Sequence, residues 1–173
     1  MRARQMSPLK RKKLLLRAGV SCIVQNSIGG TIHADLADAC EVSVSTVFSY
    51  FPNRGILIRE ILDEVGTAVF ENVIAPAREL DEEDQLEATA GFYAAFAQRE
   101  PDYVKAWLTW SMDFTARHQQ QYALVEEKLL DALIQMIQVK SARRETGEDL
   151  RDRAQVINAS SAFLAKMVFD GVS

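Results

Sequence analysis

Apolar residues in this chain recur with helical spacing almost from end to end, and nowhere do they alternate at period two between hairpin turns. That regularity commits the chain to helices, so the fold class it implies is all-α. At 173 residues the chain can bury a core of its own, as one domain or as two small ones. Where the helices stop is set by a few punctuating residues. Ser7-Pro8 reads as an N-cap followed by proline in the first turn, predicting a helix to about Gln25 with Leu15, Ala18, Cys22 and Ile23 facing inward. Gly19 inside it costs up to about 1 kcal/mol relative to alanine and so implies a close helix crossing. Gly29-Gly30 is expected to break this helix. A short helix then fits His33 to Cys40 and another Val44 to Phe51, with Glu41, Val42 and Ser43 between them. That is a helix-turn-helix length, and Ser43 is placed to cap the second of the pair.

Pro52-Asn53 stops that helix, and a long fourth one is expected from near Arg54 to about Ala75-Pro76. Further helices are predicted near 85–98, 101–118, 119–142 and 148–171, separated by Glu100-Pro101, by the polar His118 to Gln121 run and by Thr146-Gly147. The division this suggests is a helix-turn-helix domain with a basic arm over 1–53 and a helical dimerisation and effector domain over 54–173.

Charge sharpens the division. Met1 to Arg17 holds seven bases and no acid, and through Glu60 nine bases face four acids, a net of +5 that leaves −9 for the rest of a chain totalling −4. A basic head on an acidic body suits a partner that is a polyanion. Catalytic signatures are missing. There is no nucleophile elbow, P-loop, dinucleotide fingerprint or HExxH, and His33 and His118 are far apart in sequence. No metal or cofactor is implied either, because Asp81-Glu82-Glu83-Asp84 reads as a solvated connection or a first helical turn. Cys22 and Cys40 lack CxxC spacing and read as reduced thiols. Arg17 ends the apolar run Leu14 to Leu16 well short of a signal peptide, and no stretch is of membrane-spanning length, so a cytoplasmic protein without a membrane partner is expected.

The segment from Thr31 to Arg54 carries the function. In a helix-turn-helix the first helix props the second, whose outer face enters the major groove. Val44, Val47, Phe48 and Phe51 are expected to face inward, leaving Ser45, Thr46, Ser49 and Tyr50 outward, where hydroxyls can reach phosphates and base edges. Leu36-Ala37, Val42-Ser43, Thr46 and Tyr50-Phe51 resemble the signature of the TetR family of transcriptional regulators. More narrowly, Ser7-Pro8, His33-Ala34-Asp35, Val42-Ser43-Val44, Thr46-Val47-Phe48 and Tyr50-Phe51-Pro52 are similar to the LuxR/HapR/SmcR group of quorum-sensing master regulators. Three positions depart from that group, which usually has asparagine at Ser49, alanine at Ser45 and glutamine at Glu41.

The resemblance implies a homodimer on a pseudo-palindromic operator of double-stranded DNA. It assigns contact to Ser45, Thr46, Ser49 and Tyr50, with His33 and Arg54 at the starts of neighbouring helices. It also places Arg2 and Arg4 in the minor groove and Lys10 near phosphates. It further implies that the C-terminal helices pair between subunits, with one more C-terminal helix than this sequence holds, and that they can enclose an apolar small-molecule effector. Any of Phe70, Phe92, Tyr93, Phe96, Trp107, Trp110, Phe114, Phe163 and Met167 can line such a cavity or simply pack the core. Phe70, Phe96, Trp107, Trp110, Phe163 and Met167 are the favoured lining. The competing reading is a helical protein-interaction module that has lost specific DNA binding.

Overall fold

A computed structural model describes residues 6–140 and 146–171. They form α1 (Pro8–Gly30), α2 (His33–Ala39), α3 (Val44–Tyr50), α4 (Arg54–Val69), a π-helical turn (Phe70–Ile74), α5 (Ala75–Arg78), α6 (Gln85–Arg99), α7 (Pro101–Ser111), α8 (Ala116–Lys140) and α9 (Gly147–Phe169). No strand occurs among the described residues, and none of their helices is long and apolar enough to cross a membrane. The chain divides into two compact units, Met1–Val65 and Gly66–Ser173.

In the first unit, Ser7 Oγ accepts from the Lys10 N–H at 3.4 Å and Pro8 opens α1. The helix outruns its expected end near Gln25, and the break falls at Ser27, with φ 64° and ψ 169°, rather than at the two glycines. The reason is local capping: Ser27 Oγ accepts from Gly30 N–H at 3.3 Å while its carbonyl accepts from Thr31 N–H and Oγ1. A last turn therefore re-forms through Gly29 and Gly30. The crossing implied by Gly19 is present, since a Cβ there would lie 2.5 Å from Ile61 Cδ1 and 3.5 Å from Leu36 Cδ2. Leu15, Val20, Ile23, Leu36, Phe51 and Leu62 are buried around it, each contributing roughly 1.5–3 kcal/mol by leaving water. Both thiols are free, and burial, with the nearby Asp35 charge adding, pushes the Cys22 thiol up to about 11. It stays protonated at neutral pH.

Asn53 Oδ1 accepts from the Ile56 N–H at 2.9 Å and closes the first turn of α4. The helical run then passes the expected stop at Ala75-Pro76 and ends at Arg78. Within it Ala75 N–H donates five residues back to the Phe70 carbonyl, the wide turn that accommodates a proline ring which would collide with an ordinary α-turn.

The second unit holds the later helices. The break expected at His118 to Gln121 instead spans 112–115. Asp113 Oδ1 accepts from Thr115 N–H at 2.7 Å, Asp113 Oδ2 pairs with His118 Nδ1 at 3.1 Å, and Gln119 donates to the Asp113 carbonyl. Asp113 thus draws the polar run onto itself and lets α8 start at Ala116. The acidic stretch 81–84 is exposed and leads into α6. Thr146 and Asp149 form a reciprocal capping box at the start of α9. α8 and α9 pair through bidentate Arg151 to Glu127 bonds of 2.8 and 2.7 Å and through Asn158 to Glu126 at 3.0 Å. Trp107, Trp110 and Tyr122 form an aromatic cluster with ring centroids 5.1 to 5.9 Å apart.

Candidate nucleic-acid interface

α3 is held by its N-cap. Ser43 Oγ accepts from Thr46 N–H at 3.2 Å and shares hydroxyl contacts of 2.9 and 2.8 Å with Ser45 and Thr46. Val47 and Phe51 anchor the helix in the core, while Ser45 and Ser49 are exposed and Thr46 and Tyr50 half-exposed. Ser49 Oγ donates to the Thr46 carbonyl at 2.6 Å, which orients its hydroxyl. Two residues expected inside lie outside. Val44 is exposed, and Phe48 is 46% exposed, its ring lying flat on His33 with centroids 3.9 Å apart. The helix is short, so Val47 and Phe51 alone reach the core, and Phe48 finds its cover on an imidazole at the start of α2.

His33 and Arg54, expected at the DNA, are placed differently. His33 is 6% exposed and donates from Nε2 to the Phe51 carbonyl at 2.7 Å, tying α2 to the C-terminus of α3. Arg54 donates from Nε to the Thr31 carbonyl at 3.1 Å and from Nη2 to the Ile28 and Gly29 carbonyls at 2.9 and 2.7 Å. A cation at the first residue of a helix sits at the unfavourable end of that helix's dipole. Here the guanidinium serves another helix, capping the C-terminal carbonyls of α1, whose last turn has no base. Lys10 is exposed on α1, whereas Lys12 pairs with Glu60 at 2.5 Å with Phe51 beneath its ammonium. Arg2 and Arg4 lie outside the described residues.

The second unit contains a cavity of about 230 Å³ whose lining includes Val69, Ile74, Tyr93, Trp107, Leu133 and Ser161. Of the six residues favoured for a cavity, Trp107 alone lines it. Trp110 is fully buried, donates from Nε1 to the His118 carbonyl at 3.0 Å and belongs to the aromatic core. Phe96 packs on Tyr103, Phe70 lies half-buried under the Arg78 guanidinium, and Met167 is half-buried. Phe163 is 68% exposed. Aromatic identity was a poor guide because large rings fill the core, leaving the space beside smaller residues. Asn158, Ser160 and Ser161, small residues clustered in the middle of α9, were the unused sequence signal.

No protein-family model matches the chain. Over 109 residues it is 32% identical to the HTH-type transcriptional regulator LuxR of Vibrio harveyi, a match that covers 62% of this chain and 53% of that protein. The match thus spans about half the length of that curated relative. Among solved structures, a TetR-like transcriptional regulator from Rhodococcus sp. RHA1 superposes with a TM-score of 0.75 at 18% identity, covering 98% of this chain and 89% of that one. AibR in complex with isovaleryl coenzyme A and operator DNA gives 0.74 at 17%, covering 90% and 86%. FadR from Bacillus subtilis in complex with stearoyl-CoA gives 0.75 at 15%, covering 92% and 88%. The chain has the fold of the TetR-like regulators, and over 109 residues its sequence is similar to LuxR.

Proposed function

We propose that the protein is a sequence-specific DNA-binding transcriptional regulator that acts as a homodimer on a pseudo-palindromic operator. The observation that carries this reading is the outer face of α3: hydroxyls of Ser45, Thr46, Ser49 and Tyr50 on a helix capped at one end and locked by Phe51 at the other. Such a face can place donors against base edges without moving, while Lys10 supplies phosphate attraction. Arg2 and Arg4 would enter the minor groove. His33 and Arg54 act as positioning residues that fix the helix ends around α3.

The DNA-binding part is 1–53, and 54–173 supplies dimerisation and an effector site. Support for the dimer comes from α8 and α9, which leave Leu124 70%, Val156 65% and Phe163 68% exposed. Apolar side chains left uncovered on paired helices suit a symmetric four-helix contact with a second copy. Such a regulator would work in the cytoplasm, where its DNA is, and needs no catalytic motif. AibR and FadR, named above with acyl-CoA molecules, make a small-molecule effector a reasonable part of the same scheme.

The test is selection from random duplexes by the purified protein at two salt concentrations, followed by sequencing of the retained DNA. Enrichment of a pseudo-palindrome with half-sites roughly 34 Å, one DNA turn, apart supports the reading. No enriched sequence at either salt concentration contradicts it and favours a protein-interaction module.

A further inference from the structure

Tyr93 lines the cavity of the second unit, and its hydroxyl is, among the described residues, the buried side-chain polar atom left without a hydrogen-bond partner. Burial pushes the phenol pKa upward, so the group stays neutral; the neighbouring Ser161 hydroxyl opposes that shift but does not reach hydrogen-bond geometry with it. A buried donor left unmade is costly, and a ligand group that met it would recover that cost on binding. The rest of the lining is chiefly apolar, from Val69, Val73, Ile74, Leu129, Leu133 and Leu164.

Beyond Trp107, Asn158 and Ser161, which line both spaces, lies a wider cleft bordered by Tyr122, Gln155 and Glu126. Among the described residues Glu126 is the one charged residue in the lining of either space, and its carboxylate accepts from Asn158 Nδ2 at 3.0 Å. Among the described residues neither lining offers a lysine or arginine to a phosphate or carboxylate. Size points the same way. At about 30 Å³ for each water-sized group, roughly eight non-hydrogen atoms fill 230 Å³. A stearoyl chain is too long for that space alone, and the adjoining cleft of about 500 Å³ would set coenzyme A phosphates against Glu126 with no base among the described lining residues.

From the cavity's size, its apolar walls and the unpartnered Tyr93 hydroxyl, we infer that the second unit binds a ring-sized, uncharged molecule carrying one hydrogen-bonding group, which Tyr93 reads. This deepens the effector part of the proposed function and rests on that reading for what the ligand controls. Binding itself is measured without DNA, so failure of either test leaves the other interpretable.

The experiment is calorimetric titration of the full chain with acetophenone, cyclohexanol and indole, and separately with stearoyl-CoA. Saturable binding of at least one small probe at one per chain is expected, with no binding of stearoyl-CoA. Tyr93→Phe, which removes a single oxygen, weakens the bound probe about five- to tenfold, the worth of one neutral hydrogen bond. Leu133→Trp, which projects a much bulkier ring into the space, weakens binding, and far-UV circular dichroism checks that both variants are folded. Absence of binding by all three small probes, binding of stearoyl-CoA, or equal affinity in Tyr93→Phe overturns the inference.

Discussion

Replacing Arg54 by methionine removes three hydrogen bonds while keeping most of the side chain's apolar length. Two of them, to the Thr31 and Ile28 carbonyls, are part-buried, and the third, to Gly29, is exposed and readily replaced by water. Bonds involving a charged group are worth about 1.5–3 kcal/mol each when removed. Taking the lower figure for the two part-buried bonds gives about 3 kcal/mol, and exposure of the guanidinium reduces this to roughly 2 kcal/mol. Lysine at the same position has one ammonium for three diverging acceptors and recovers about half of the loss.

Both tryptophans lie beyond Gly66, so fluorescence reports on the second unit. Urea unfolding followed by far-UV circular dichroism gives the stability change, and hydrogen exchange of amides 28 to 33 locates it. The expected result is a loss of about 2 kcal/mol with faster exchange confined to that turn. An Arg54→Met variant with unchanged stability and exchange but lost operator binding would refute the clamp and return Arg54 to the DNA.

Gly19→Ala places a methyl against Ile61, so an overpacking cost of about 1–3 kcal/mol opposes a helix-propensity gain of about 1 kcal/mol. Urea denaturation should show net destabilisation, relieved when Ile61→Val removes the nearer carbon. Ser43→Ala loses the α3 cap and about 1 kcal/mol, whereas Ser43→Asp keeps the cap, preserving the unfolding midpoint while repelling phosphate in a binding assay. Burial alone would raise the Asp113 pKa, but bonds from Thr115 and His118 prevail and hold it below its ordinary 3.8. Its folded pKa is depressed, so its contribution is present above pH 3.8 and is lost as pH falls through the lower folded value. Acid denaturation of Asp113→Asn should lack that component.

The helices and the helix-turn-helix were legible because each rests on a local signal: Ser7, Ser43, Pro52 and Thr146 mark ends that the backbone obeys. The misplaced boundaries were those decided by a side chain reaching back, as Ser27 does at the end of α1 and Asp113 does before α8. In the candidate interface, Ser45, Thr46, Ser49 and Tyr50 followed from helical period. The inward bonds of His33 to Phe51 and of Arg54 to Ile28 did not, since their partners lie 18 and 26 residues away. The cavity was the least legible feature, because empty space is what remains after Trp110 and Phe96 have packed.

The central claim is that the outer face of α3 distinguishes one DNA sequence from another. The measurement is competition between the selected operator and a scrambled duplex, for the wild type and for a Ser49→Ala, Tyr50→Phe double variant, across a salt series. If α3 reads the operator, the double variant loses roughly tenfold or more in operator affinity while its affinity for scrambled DNA and its salt slope stay nearly constant. Equal losses on both duplexes, or no loss on either, would contradict the account and move recognition away from α3.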